Sequence, residues 1–121
     1  MSSSEIFMEN DKHSMALKLS ELGYDVWLGN NRGNIYSRGH TTMDAEKDYF
    51  RYSFVEFGKY DIIAQVEHAK SISNSTGKVT YVGHSFGTTQ MFAALSQNFA
   101  NIKDHVNHFV ALGPVAKLDH I

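Results

Sequence analysis

The chain has 121 residues, a single proline and 42% hydrophobic residues, which suits one domain with a small core and argues against disorder. Its net charge of −2, with acidic and basic residues interspersed, leaves no basic stripe for nucleic acid and no polybasic patch for a membrane surface. The absence of cysteine excludes a disulfide framework, a thiolate metal site and a cysteine nucleophile, while leaving the cellular compartment open.

Met1 to Asn10 carry no basic stretch followed by an apolar core, so no export leader is expected there. No run reaches the about 18 apolar residues of a membrane span either. Ser14 to Leu22 place Met15, Leu19 and Leu22 on one helical face, with Gly23 as a left-handed C-terminal cap. Tyr24 to Leu28 then read as a strand, with Trp27 as a core residue, and Gly29 to Asn34 as a polar loop rich in turn formers. Ile35 to Arg51 lack clean periodicity and read as a long, partly helical surface connection. A helical pattern resumes from Phe57 to Ser73 through Phe57, Tyr60, Ala64 and Ala69. Asn74-Ser75-Thr76 in the following loop is a glycosylation sequon, relevant only on the secretory route.

Lys78 to Val82 are β-branched and aromatic, as a short buried parallel strand should be, and Thr88 to Asn98 carry Met91, Phe92, Ala94 and Leu95 at helical spacing. Between them lies Gly83-His84-Ser85-Phe86-Gly87, a G-x-S-x-G pentapeptide in the strand-turn-helix setting of a nucleophile elbow. Such a turn lifts the Ser85 hydroxyl above the sheet. A Cβ at Gly83 or Gly87 is expected to collide where helix and strand pass closely. His84 is expected to pack beside the turn as supporting structure. Asn101 to His105 read as a polar loop and His108 to Leu112 as a third strand, ended by Gly113-Pro114. The fold class is therefore α/β: one domain over residues 1–121, with a parallel sheet of about three strands, right-handed crossovers and helices on both faces.

Several segments resemble the acid lipases, the gastric, lysosomal and sterol-ester group of the α/β-hydrolase fold. They are Gly23-Tyr24-Asp25-Val26-Trp27-Leu28-Gly29-Asn30 with Arg32-Gly33-Asn34 and Ser37-Arg38, then Lys59-Tyr60-Asp61. Tyr81 to Ser85 with Gly87-Thr88-Thr89, and Ala111-Leu112 with Pro114-Val115-Ala116, follow in family order. The resemblance runs from about Ser14 to about Lys117. Two positions depart from the family pattern: Phe86 stands where glutamine usually follows the nucleophile, and Ile63 where a proline is usual. What the resemblance implies is a partial α/β-hydrolase fold and a carboxylic ester hydrolase that cleaves lipid esters through an acyl-serine. Ser85 is then the nucleophile, and the Phe86 backbone N–H, which the side-chain change leaves intact, belongs to the oxyanion hole. No metal or organic cofactor is implied. The family's usual route is secreted or lysosomal, which nothing in this N-terminus signals.

The same resemblance implies that this chain covers a central fragment. An upstream His-Gly strand, with its oxyanion donor, and downstream strands bearing the catalytic acid and histidine are expected outside it. Local substitutes fare poorly. Asp104 with His105 or His108 precedes the next strand at the edge opposite Ser85, and a five-residue strand separates the edges by roughly 16 Å, against the ~3 Å needed for proton transfer. Asp119 and His120 are on the correct edge but read as a solvated tail. His105 and His108 alone lack a third metal ligand. Gly29, Arg32 and Gly33 form neither a dinucleotide nor a Walker pattern. Three readings stand: a fragment or shortened gene model of a full lipase, inactive alone; the central part of a serine ester hydrolase acting on lipid esters; and a natural truncation kept as a hydrolase-like module for binding or assembly. Exposed sheet edges would call for a partner chain in the last case.

Overall fold

The computed structural model describes residues 3–9, 13–43 and 50–117. It divides into two compact units, Met1–Arg51 and Tyr52–Ile121.

In the first unit a 3-10 turn, Ser4–Phe7, precedes helix α1, Met15–Glu21. Ser14 caps α1 by accepting from the Leu17 N–H at 3.3 Å. The far end closes as the sequence predicts, with Gly23 at φ +90°. Its N–H donates to Ser20 O at 2.9 Å and the Tyr24 N–H to Leu19 O at 3.1 Å, the paired bonds of a Schellman turn. The expected strand Tyr24 to Leu28 is not one: these residues form no strand among the described residues, and Tyr24 and Trp27 are 65% and 44% exposed. Strand preference records fit to a pleated, half-buried surface, so without a ladder partner a β-rich sequence stays irregular. Trp27 is accordingly no core residue; its indole N–H donates to Asp25 Oδ2 at 3.0 Å. The polar loop is ordered by its own amides. Asn30 Oδ1 accepts from the Ser4 N–H at 2.9 Å and from the buried Asn34 amide at 2.6 Å. Tyr36 donates its hydroxyl to Glu5, which holds that carboxyl below its usual range and raises the phenol. Of the connection expected to be partly helical, residues 35–43 and 50–51 are non-helical, and 44–49 lie outside the described residues.

The second unit starts earlier than periodicity indicates. Ser53 accepts from the Val55 N–H at 3.2 Å while Glu56 accepts from the Ser53 N–H at 2.7 Å, a capping box that begins α2, Phe54–Glu56. The helix passes through a π-helical turn, Phe57–Asp61, and continues as α3, Ile62–Ile72. The π turn lies at a backbone-to-backbone crossing. A Cβ on Gly58 would stand 2.8 Å from Gln90 O and 3.0 Å from Ala94 N, so the crossing tolerates only glycine. Strand β1, Val79–His84, leads into α4, Phe86–Gln97, then a 3-10 turn, Phe99–Asn101, a short α5, Ile102–His105, and strand β2, Val106–Leu112. The predicted 101–105 loop is thus partly helical.

The strands run parallel, with Tyr81 opposite Phe109 and His84 opposite Leu112; an irregularity near Val79 and Thr80 lets β2 begin at Val106, ahead of the predicted start. Ile62, Ile63 and Val66 of α3, Met91 and Ala94 of α4, and Ile102 form the core, against which Val79, Tyr81, Val106 and Phe109 pack. Each such apolar side chain, once fully buried, contributes about 1.5–3 kcal/mol. The opposite sheet face carries exposed Thr80 and His108 and the 42% exposed Val110. The α/β class therefore holds with one correction among the described residues: the sheet has two strands, not about three. The missing strand is the 24–28 segment without a ladder partner.

Candidate active site

The pentapeptide sits where β1 ends and α4 begins. Ser85 has φ 51° and ψ −117°, outside the regions a residue with a Cβ prefers. Holding a non-glycine residue there costs about 1–3 kcal/mol. Its neighbours over-determine it. The Ser85 N–H donates to Leu112 O at 2.9 Å, which extends the β1–β2 ladder one residue past the strand. Ser85 O accepts from the Thr88 N–H at 2.9 Å and from the Thr88 hydroxyl at 2.6 Å. Thr88 Oγ1 in turn accepts from the Val115 N–H at 2.9 Å, and Thr89 Oγ1 donates to Val115 O at 2.7 Å. Two buried threonines thus tie the turn to the segment that follows β2.

Gly83 behaves as expected: a Cβ there would lie 2.8 Å from Gly87 O and 2.9 Å from both Gly87 C and Tyr81 Cε1. Gly87 does not, since an added Cβ would meet nothing nearer than Tyr81 Oη at 3.7 Å, ordinary contact. The helix backbone at Gly87 is the wall against which Gly83 fits. Tyr81 braces that wall: its hydroxyl donates to Gly87 O at 3.1 Å and accepts from the buried Gln90 amide at 2.7 Å. Burial of the phenolic oxygen raises its pKa to about 12, partly offset by the Gln90 hydrogen bond. Sequence reasoning missed Tyr81, Thr88, Thr89 and Gln90 as supports; polar residues inside regular elements at this turn were the available signal.

Ser85 is exposed, and Phe86 is the first residue of α4. Its N–H is one of the helix-start donors without an intrahelical acceptor, at the positive end of the helix dipole. His84 is exposed at the strand end; a Cβ on Gly113 would lie 3.9 Å from its Nε2. Among the described residues no side chain hydrogen-bonds Ser85 Oγ. Asp104 and His105 end α5, just before β2, and the seven residues of β2 put them about 20 Å from the Ser85 edge. Asp119 and His120 lie outside the described residues. A polar cleft of about 380 Å³, lined by Glu67, Lys70, Ser71, Asn74 and His105 among others, is likewise at the edge away from Ser85. Among the described residues no three histidine or acidic side chains gather as a metal site, and no helix is long and apolar enough to cross a membrane.

The family described as alpha/beta hydrolase fold matches residues 2–121. Triacylglycerol lipase 1 of Arabidopsis thaliana is 39% identical over 116 residues, 95% of this chain and 28% of that protein. Human lysosomal acid lipase/cholesteryl ester hydrolase is 44% identical over 108 residues, 87% of this chain and 26% of that protein. Mouse gastric triacylglycerol lipase is 42% identical over 111 residues, 89% and 27% respectively. The chain therefore spans 26–28% of the length of these curated relatives. Matched across nearly its whole length, the chain belongs to the α/β-hydrolase fold family, and within that family its similarity is to lipases.

Proposed function

We propose that this chain is the nucleophile-bearing part of a serine ester hydrolase acting on lipid esters, triacylglycerols or sterol esters. Residues 1–121 belong in this reading to one partial α/β-hydrolase domain. The observation that carries the reading is the conformation of Ser85, φ 51° and ψ −117° between β1 and α4, a strained strand-to-helix turn of the kind that presents a nucleophilic serine. The names of the lipase relatives support the substrate class.

In the reaction, Ser85 Oγ attacks the ester carbonyl carbon while a histidine takes the hydroxyl proton. The carbonyl electron pair moves to oxygen, where the Phe86 N–H stabilises it. Collapse of this intermediate breaks the bond to the alcohol oxygen, which leaves with the proton. Water then attacks the acyl-serine, releasing fatty acid and restoring the hydroxyl. Gly83, Gly87 and His84 serve the turn and not the bond changes. This reaction implies no metal or organic cofactor.

The 121-residue chain is inactive alone in this account, because its described residues offer Ser85 Oγ no base. Incubated with a fluorophosphonate probe, it should label no faster than its Ser85→Ala variant; Ser85-dependent labelling would show that the chain completes its own triad and refute that statement. A second reading, a non-catalytic module that binds or assembles through its sheet, is favoured by one observation, the exposed face bearing Thr80, His108 and Val110. Such a face calls for further strands or helices from the same polypeptide or from a partner chain.

A further inference from the structure

Phe86 follows Ser85 directly, so their Cα atoms are about 3.8 Å apart, and both residues are exposed. Phe86 is 36% exposed, and what holds its ring is a buried aromatic. Phe57, only 3% exposed, meets Phe86 edge to face with centroids 5.5 Å apart and an interplanar angle of 89°. Tyr52 meets Phe57 from elsewhere at 5.0 Å and 65°. Both pairs lie in the separation range that aromatic quadrupoles favour. The ring is therefore braced, and its free part is a fixed apolar surface. Phe54 and Val55, both partly exposed, extend the apolar character along α2, which packs on α4. The one acidic side chain of this turn, Glu56, is turned back onto Ser53, with its Oε2 accepting from both the N–H and the hydroxyl at 2.7 Å. Exposed apolar area on the residue that follows a reacting serine, with the charge of Glu56 already engaged, suits an unbranched hydrocarbon.

We propose that the Phe86 ring, braced by Phe57 and Tyr52, is the contact surface for the acyl chain of the ester, so that Phe86 is a specificity-determining residue selecting long over short chains. Phe57 and Tyr52 act through Phe86 as positioning residues. This rests on the reading of Ser85 as the nucleophile, but acyl contact itself requires no reaction at Ser85. The test is photo-crosslinking of the 121-residue chain with palmitic acid carrying a chain diazirine, set against a diazirine hexanoic acid, with adducts located by peptide mass spectrometry. Adducts of the long probe should map to residues 52–57 and to Phe86, and the hexanoic probe should give few. Phe86→Gln should lower the yield at these positions on the order of tenfold, and Phe86→Leu should retain most of it. Adducts of the unsubstituted chain concentrated elsewhere, such as around Val110, would overturn the proposal without any variant being needed. So would an unchanged yield in Phe86→Gln. Ser85→Ala should keep the crosslink, which separates failure of the acyl contact from failure of Ser85 as nucleophile.

Discussion

The turn after α1 and the turn after β1 both reverse the chain through a residue of positive φ, and they treat glycine in opposite ways. After α1 the left-handed residue is Gly23 itself, with nothing within 4 Å of where a Cβ would be. Glycine serves conformation there, at little energetic cost. After β1 the left-handed residue is Ser85, at φ 51°, while Gly83 provides room: its missing Cβ would meet the Gly87 backbone at 2.8 Å. A glycine at position 85 would remove the strain, yet this sequence keeps a side chain there and surrounds it with buried hydrogen bonds. Strain retained where relief is one substitution away fits the role proposed for the Ser85 hydroxyl.

Substitutions sharpen the contrast, each read by urea unfolding followed by far-UV circular dichroism. Gly83→Ala should have the largest effect, a loss of about 1–3 kcal/mol from forced overpacking. Gly23→Asn should cost much less, since asparagine tolerates the left-handed region. Equal losses would mean that the two glycines do the same work. Ser85→Gly should raise stability by about 1 kcal/mol, the strain released less the entropy glycine adds to the unfolded chain. Ser85→Ala, which keeps a Cβ, should show no such gain.

Tyr81→Phe should cost about 0.5–1.5 kcal/mol through the lost hydrogen bonds to Gly87 and Gln90. It should also change the alkaline limb. The Tyr81 phenol holds its proton to about 12 against 10.0 for an ordinary tyrosine. The unfolded chain therefore ionises first at this position. Stability from this group is complete below pH 10 and declines as pH rises towards 12. Tyr81→Phe should lack that part of the decline. Smallest of all, Gly87→Ala should be neutral or slightly stabilising, because alanine favours helix over glycine.

Features whose cause is local were legible in the sequence. Gly23 as a cap, the strand-turn-helix around Ser85 and the need for glycine at 83 all follow from short-range sterics. The start of α2 was legible too, since Ser53 and Glu56 spell a capping box, but apolar periodicity pointed to Phe57 instead. What could not be read depends on distant partners. Tyr24 to Leu28 have a strand's composition and no ladder. The π turn at Phe57–Asp61 accompanies the crossing of Gly58 over Gln90 and Ala94, about thirty residues away in sequence. In the candidate site, Ser85 and Phe86 stood out by motif, whereas Thr88, Thr89 and Tyr81 gained roles only once Val115 and Gly87 were beside them.

The central claim is that Ser85 is a competent nucleophile once a base is supplied. The most direct test is a chimera in which this chain replaces the matching 116-residue stretch of the Arabidopsis triacylglycerol lipase, incubated with a fluorophosphonate probe beside its Ser85→Ala version. The account predicts a single adduct, mapped to Ser85 and absent from the variant. A folded chimera that fails to label, or labels equally after Ser85→Ala, would contradict it.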